Sequence, residues 1–197
     1  MLRWSKSQKE LIQLASDPIK GTPLDVVAIK EWQAGLTTAL RYIERQSERD
    51  KNIPRSVVLD GAGAWDAVVS LSRTAGPELS GLGYFDRMER AFRALSGEER
   101  RPLCLWLDEA RLMRPSRREL FCAHVDYTAG FLRIPVRVVM LIGKVMVFHH
   151  QKQRRIEAFP ALGDRLLKRA REWEFNRTEF NETDESLFEP QAEAALA

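Results

Sequence analysis

The residues best equipped for chemistry are Asp108 and Glu109, an acidic pair that ends the apolar run Leu103-Cys104-Leu105-Trp106-Leu107. A continuous apolar run of this length has the look of a strand buried on both faces of a parallel sheet. At the end of such a strand, an aspartate can hold hydrated Mg²⁺ and a glutamate can polarise an attacking water, the chemistry of triphosphate hydrolysis. That chemistry also needs glycines whose backbone amides cradle phosphate, a lysine for the β- and γ-phosphates, and a Ser or Thr hydroxyl for the metal. Asp60-Gly61-Ala62-Gly63 follows a second β-branched run, Ser56-Val57-Val58-Leu59, and offers Gly61 and Gly63 as the cradle. Trp65 and Asp66, however, stand where the lysine and the hydroxyl are needed. An aspartate beside a triphosphate adds repulsion that a helix N-terminus, worth about half a charge, does not cancel. Conventional ATPase activity is therefore not expected, and no cofactor is expected, with ATP and Mg²⁺ binding weak or absent.

The elements that must position these residues can be read from pattern and punctuation. A short amphipathic helix over Ser5 to Leu14 stops near Asp17-Pro18, since the residue before proline avoids the α region. Val27, Ile29, Trp32, Leu36, Leu40 and Ile43 recur at helical spacing and predict one long helix from Asp25 to about Glu48. Ala64 to Arg73 and the stretch marked by Phe85, Met88, Phe92 and Leu95 predict two more. Ser96 with Glu99, and Ser116 with Glu119, have capping-box spacing, the second opening a helix to about Phe131. Ile134 to Ile142 is a third strand, closed by Gly143, so that strand, crossover helix and strand make a βαβ unit. Gln151 to Ala158 and Leu162 to Glu174 read as basic helices. The expected fold is α/β, a parallel sheet with flanking helices and helical N- and C-terminal ends. Its divisions are a helical N-terminal appendage over 1–50, the α/β domain over 51–175, and an acidic, flexible tail over 176–197.

Charge divides the chain unevenly. The formal charge is +3, and residues 176–197 carry one Arg against six acids, a net of −5, which leaves +8 on residues 1–175. A body so basic attracts polyanions, duplex DNA first among them, and the acidic tail suits docking of a protein partner. The cations placed to meet phosphate are Lys152, Arg154, Arg155, Arg165, Lys168, Arg169 and Arg171. Cys104 and Cys122 sit in apolar patterns without metal-ligand spacing and read as reduced, buried thiols, and no metal site is expected. His149-His150 read as surface histidines, and Trp32, Trp106 and Trp173 as core. The longest apolar run, Ile134 to Phe148, is interrupted by Arg137 and Lys144 and falls short of the roughly 20 residues that cross a bilayer. With no secretory signal at Met1 to Glu10, a cytoplasmic protein is expected.

Leu105-Trp106-Leu107-Asp108-Glu109-Ala110-Arg111-Leu112, a capped helix, and Arg133-Ile134-Pro135 through Gly143-Lys144 resemble the Walker B to sensor-1 stretch of AAA+ ATPases. Within that class the pattern is most similar to transposon helper ATPases of the Mu B-protein and TniB type. Ala161-Leu162-Gly163-Asp164-Arg165-Leu166 is similar to the family's later Leu-x-x-Arg element, so the resemblance spans roughly residues 54–170. It implies a P-loop/AAA+-like sheet with a degenerate Walker A loop, homo-oligomers, and DNA-linked assembly or regulation of the mobile-element or phage type. Two readings compete. Ala129, Leu132, Ile134 and Val139 can be laid on a helix-turn-helix, with Arg133 at the turn glycine and Arg137 and Lys144 left for phosphates, which predicts a mostly helical DNA-binding regulator. The third reading is a protein-interaction module whose basic face serves an acidic partner.

Overall fold

The computed structural model describes residues 4, 6–29, 35–60, 64–76, 82–108, 110, 113–143, 145–148, 155–158 and 170–175. Along the chain the elements are α1 (Lys6–Ser16), β1 (Leu24–Ile29), α2 (Leu36–Arg49), β2 (Arg55–Asp60), α3 (Ala64–Ala75), α4 (Tyr84–Ser96), β3 (Leu103–Asp108), α5 (Pro115–Leu132), β4 (Val136–Gly143), β5 (Val145–Phe148), β6 (Arg155–Ala158) and β7 (Ala170–Phe175). Five of the strands make one parallel sheet in the order β2-β3-β4-β1-β7, and β5 and β6 pair antiparallel as a separate two-stranded sheet. The protein is thus α/β, a parallel sheet with flanking helices.

Side-chain alternation along the strands builds the layers. Leu103, Leu105 and Leu107 of β3, with Val136, Val138 and Met140 of β4, face α3, α4 and α5 and close around Val68, Leu71, Met88, Phe92, Phe121 and Val125. Cys104 and Trp106, with Val139 and Leu141, face the opposite way and meet Leu11 and Leu14 of α1 and Leu36, Leu40 and Ile43 of α2. A sheet covered on both faces has no solvated side to mark with polar residues, which is why β3 reads as an unbroken apolar run. Neither cysteine forms a disulfide and both are buried, and Trp106 is fully buried.

The register of β3 on β4, Leu103 opposite Val136 through Leu107 opposite Met140, is parallel as the sequence predicts. It also rules out the helix-turn-helix, because the stretch that would be its recognition helix is a strand. Other expectations are corrected. The long helix predicted from Asp25 is replaced by β1 and, after residues 30–34 that lie outside the described ones, α2, and β1 lies inside the sheet between β4 and β7, so residues 1–50 are not an all-helical appendage. Of the basic helices expected over 151–158 and 162–174, the described residues 155–158 and 170–174 are strand, in β6 and β7, and the rest lie outside the described residues. Neither capping box forms. Ser96 closes α4, its Oγ donating to the Arg101 carbonyl at 2.7 Å, and α5 starts at Pro115, whose missing N–H costs nothing at a first helical position.

Arg137, buried on β4, faces the α1 side of the sheet. Its Nε lies 3.3 Å from Oδ2 of buried Asp25 on β1, and its Nη1 donates to the Leu14 carbonyl near the end of α1. The pair ties α1, β1 and β4 together inside the core.

Candidate functional site

In a parallel sheet, ligands bind beyond the carboxyl ends of the strands, where successive connections leave on opposite faces. Here the two strands flanking β4 meet that condition. β1 is followed by α2 on one face and β3 by α5 on the other. Val27 is level with Leu141 and Leu107 with Met140, so Ile29 and Asp108 end at the same pole. With β4 between them they are ~10 Å apart, two strand spacings.

After Ile29 the chain re-enters the described region at Gly35, in the left-handed conformation (φ 70°, ψ 17°), and α2 starts at Leu36. A glycine is suited to that turn because a Cβ there is strained. The Gly35 carbonyl accepts the Ala39 amide at 3.1 Å and Nε2 of buried Gln8 at 3.2 Å, so α1 pins the entrance of α2. Strand, loop, glycine, helix is the order of a phosphate-binding loop, and Gly35-Leu36-Thr37 falls where such a loop reads Gly-Lys-Ser/Thr. Leu36 is 3% exposed and packs with Leu11, Leu14 and Leu40, while Thr37 is exposed at the first turn. The position that needs a cation directed at phosphate therefore holds an aliphatic side chain directed into the core, and a Mg²⁺-triphosphate fits this donor set poorly.

Asp108 ends β3 half-buried, with Asp60 of β2 as its register partner. Glu109, Gly61 and Gly63 lie outside the described residues. In the chain Gly61 and Gly63 follow β2, the strand at the sheet's edge and not the one at the switch point. Sequence reasoning thus took Trp65 and Asp66 for the lysine and hydroxyl positions, whereas the geometry points to Leu36 and Thr37. The signal was present as Gly35-Leu36-Thr37 after the β-branched Val26-Val27-Ala28-Ile29, but the helical pattern drawn through it hid it. Sequence reasoning also missed Arg118. This side chain is 1% exposed and donates Nε to the Ala110 carbonyl at 2.8 Å, fixing the turn just after the acidic pair.

Of the cations expected to meet DNA, Lys152, Arg154, Arg165, Lys168 and Arg169 lie outside the described residues, as do His149 and His150. The backbone places Arg155 at the start of β6 and Arg171 in β7. Among the described residues no group of His, Cys, Asp and Glu could hold a metal ion, and no helix is long and apolar enough to cross a membrane.

Another exposed feature lies away from the switch point. Phe85, His124, Tyr127 and Phe131 line a groove of about 500 Å³ on α4 and α5. Burial holds the His124 imidazole below its usual value and pushes the Tyr84 hydroxyl up to about 12, with Cys122 adding to the latter shift. The sequence carried this signal too, since α5 has apolar residues on both sides. Phe121, Val125 and Leu132 turn inward, and Leu120, Tyr127 and Phe131 turn out.

No family model matches the chain, and no curated protein matches it. Among solved structures it is similar to the crystal structure of Cdc6p from Pyrobaculum aerophilum, at 17% identity and a TM-score of 0.49. That match covers 69% of this chain and 37% of the other, so the chain spans well under half the length of the protein it resembles.

Proposed function

We propose that this is an AAA+-like protein that acts on DNA in assembly or regulation, of the mobile-element or phage type, without turning over nucleotide. The observation that carries the reading is Gly35-Leu36-Thr37 at the start of α2. It keeps the glycine, the helix start and the threonine of a phosphate-binding motif, follows β1 at the same pole as Asp108, and puts buried Leu36 in place of the lysine. Without a cation to draw the β- and γ-phosphates together, Asp108 has no aligned triphosphate to serve, and the pole is left as a scaffold.

The DNA part of the reading rests on charge. The +8 of residues 1–175 and the clusters Lys152, Arg154, Arg155 and Arg165, Lys168, Arg169, Arg171 can neutralise phosphates, and nothing in the chain is equipped to read base edges. Duplex DNA is therefore expected to bind with little sequence preference and a steep loss of affinity as salt rises. Titrating labelled duplexes of two unrelated sequences at several salt concentrations tests this. Each lost phosphate contact removes about 0.9 from the slope of log K against log salt, so Arg154→Ala with Arg155→Ala makes the slope shallower by about 1 to 2. No binding at low salt, or a slope unmoved by the double substitution, refutes the assignment.

A further inference from the structure

On the face of the sheet covered by α3, α4 and α5, six rings touch in series. Trp65 meets Tyr84 at 5.9 Å between centroids, Tyr84 meets Phe85 and His124 at 5.7 and 4.9 Å, and Phe85 meets Tyr127 at 6.5 Å. Tyr127 then stacks on Phe131 at 6.4 Å with the planes 2° apart. Only Tyr84 and His124 are partly covered. Phe85 is 52% exposed, Tyr127 67% and Phe131 63%, a contiguous apolar strip where single exposed residues are the rule.

The strip does not end in solvent. Past Phe131 it opens into a second concavity of about 580 Å³, whose lining includes Arg93, Arg100, Arg133 and Glu98. Arg93 is held by Glu89 at 2.9 Å, but no ion pair among the described residues holds Arg100 or Arg133, both exposed. An apolar groove that runs into free guanidinium groups suits a peptide whose large apolar residues lie next to carboxylates. Aromatic anchors supply the buried contact and arginines supply the directional pairing.

The chain carries such a peptide. Residues 176–197, at net −5, set Leu187-Phe188 between Asp184-Glu185 and Glu189. The segment leaves β7, the edge strand beside β1, whereas α5 packs on β3 and β4. Phe175 ends at the carboxyl pole of the sheet, and Arg100 and Arg133 precede β3 and β4 at the other. The lateral gap of ~15 Å, the layer thickness of ~10 Å and the strand length of ~20 Å combine to ~27 Å, while the chain from Phe175 to Phe188 can span ~45 Å. We propose that the acidic segment folds back onto this groove within the same chain, Leu187 and Phe188 seated among Phe85, Tyr127 and Phe131, and Glu185 and Glu189 facing Arg100 and Arg133. This docking stands apart from the nucleotide and DNA readings, and requires neither.

The test uses the full chain with a photoreactive benzophenone side chain at position 127. Irradiation is expected to join that position to peptides from residues 176–197 in a species of monomer mass. The yield should fall roughly five-fold or more with Arg100→Glu plus Arg133→Glu, and likewise with Leu187→Ser plus Phe188→Ser, the scale of two lost surface ion pairs or two lost apolar anchors. Adding Glu185→Arg and Glu189→Arg to the arginine double variant should restore it. The substituted arginines are exposed, so melting should be unchanged, and the apolar pair serves as the readout if the arginine variant does not fold. Linkage elsewhere in the chain, linkage only in a species of twice the mass, or a yield indifferent to both substitutions overturns the proposal.

Discussion

Arg137 shows how far a single residue can be misjudged from local pattern. Inside Ile134 to Ile142 it reads as the one side chain that must reach solvent, or as a phosphate contact. Its partner Asp25 lies 112 positions away, beyond the reach of any local window, and the pair is buried between β1 and β4. Removing one member of a buried ion pair strands the other charge, which costs about 3–5 kcal/mol, whereas filling the space with an apolar residue costs less only when both charges go. Arg137→Ala is therefore expected to lower the free energy of urea unfolding by that amount, and a loss under about 1 kcal/mol would mean the pair is solvated. The cysteine was easier to place, because an apolar neighbourhood on both sides in sequence is enough to predict burial. Burial pushes the Cys104 thiol from 9.0 up to about 12, and Tyr84 rises from 10.0 to about 12. The unfolded chain releases these protons first as pH rises, so their contribution is whole below pH 9 and is lost on the way to 12. Urea midpoints should hold steady below pH 9 and fall above it. A midpoint that stays level to pH 11 contradicts the burial of both groups.

At the scale of elements, what could be read depended on which physical signal dominated. β3, β4 and α4 were legible because each has one unambiguous feature, a continuous apolar stretch or a helical repeat, whereas α5 was placed by a capping-box spacing that does not form. β1 was not. Val27 and Ile29 of the strand, Trp32 between the two elements in sequence, and Leu36, Leu40 and Ile43 of the helix fall by chance on one helical repeat. A six-residue strand buried in a parallel sheet has no alternation with which to contest it. Pro23 before the run and Gly35 after it were the better guides, and with them the switch-point loop would have been found at 30–37 and not at Gly61 and Gly63. Likewise β6 and β7 sit in charged sequence whose composition favours helix, and strand pairing there overrides propensity. The consequence can be measured. Val27→Pro removes a ladder hydrogen bond from an interior strand and should abolish cooperative melting of the whole protein. A helical appendage kinked at the same point would leave the remaining domain melting as before, so an unchanged transition by circular dichroism excludes β1 from the sheet.

For the whole molecule, the α/β class and the parallel βαβ unit were legible, and the division at residue 50 was not, since β1 belongs to the same sheet as β2 to β4. The candidate site was half legible. Asp108 stands at the expected strand end, while Gly35-Leu36-Thr37 came from a segment read as helix. The central claim is that this sheet presents a phosphate-binding geometry with its cation replaced by a core leucine, so that the protein does its work without nucleotide turnover. The direct measurement is an equilibrium titration of the full chain with Mg²⁺-ATP and Mg²⁺-ADP, run beside a phosphate-release assay on the same sample. No saturable binding is predicted up to about 1 mM, which corresponds to a binding free energy no better than about −4 kcal/mol, and no release above the protein-free background. Micromolar binding, or steady release of phosphate abolished by Glu109→Gln, would contradict the account and return the chain to the active ATPases.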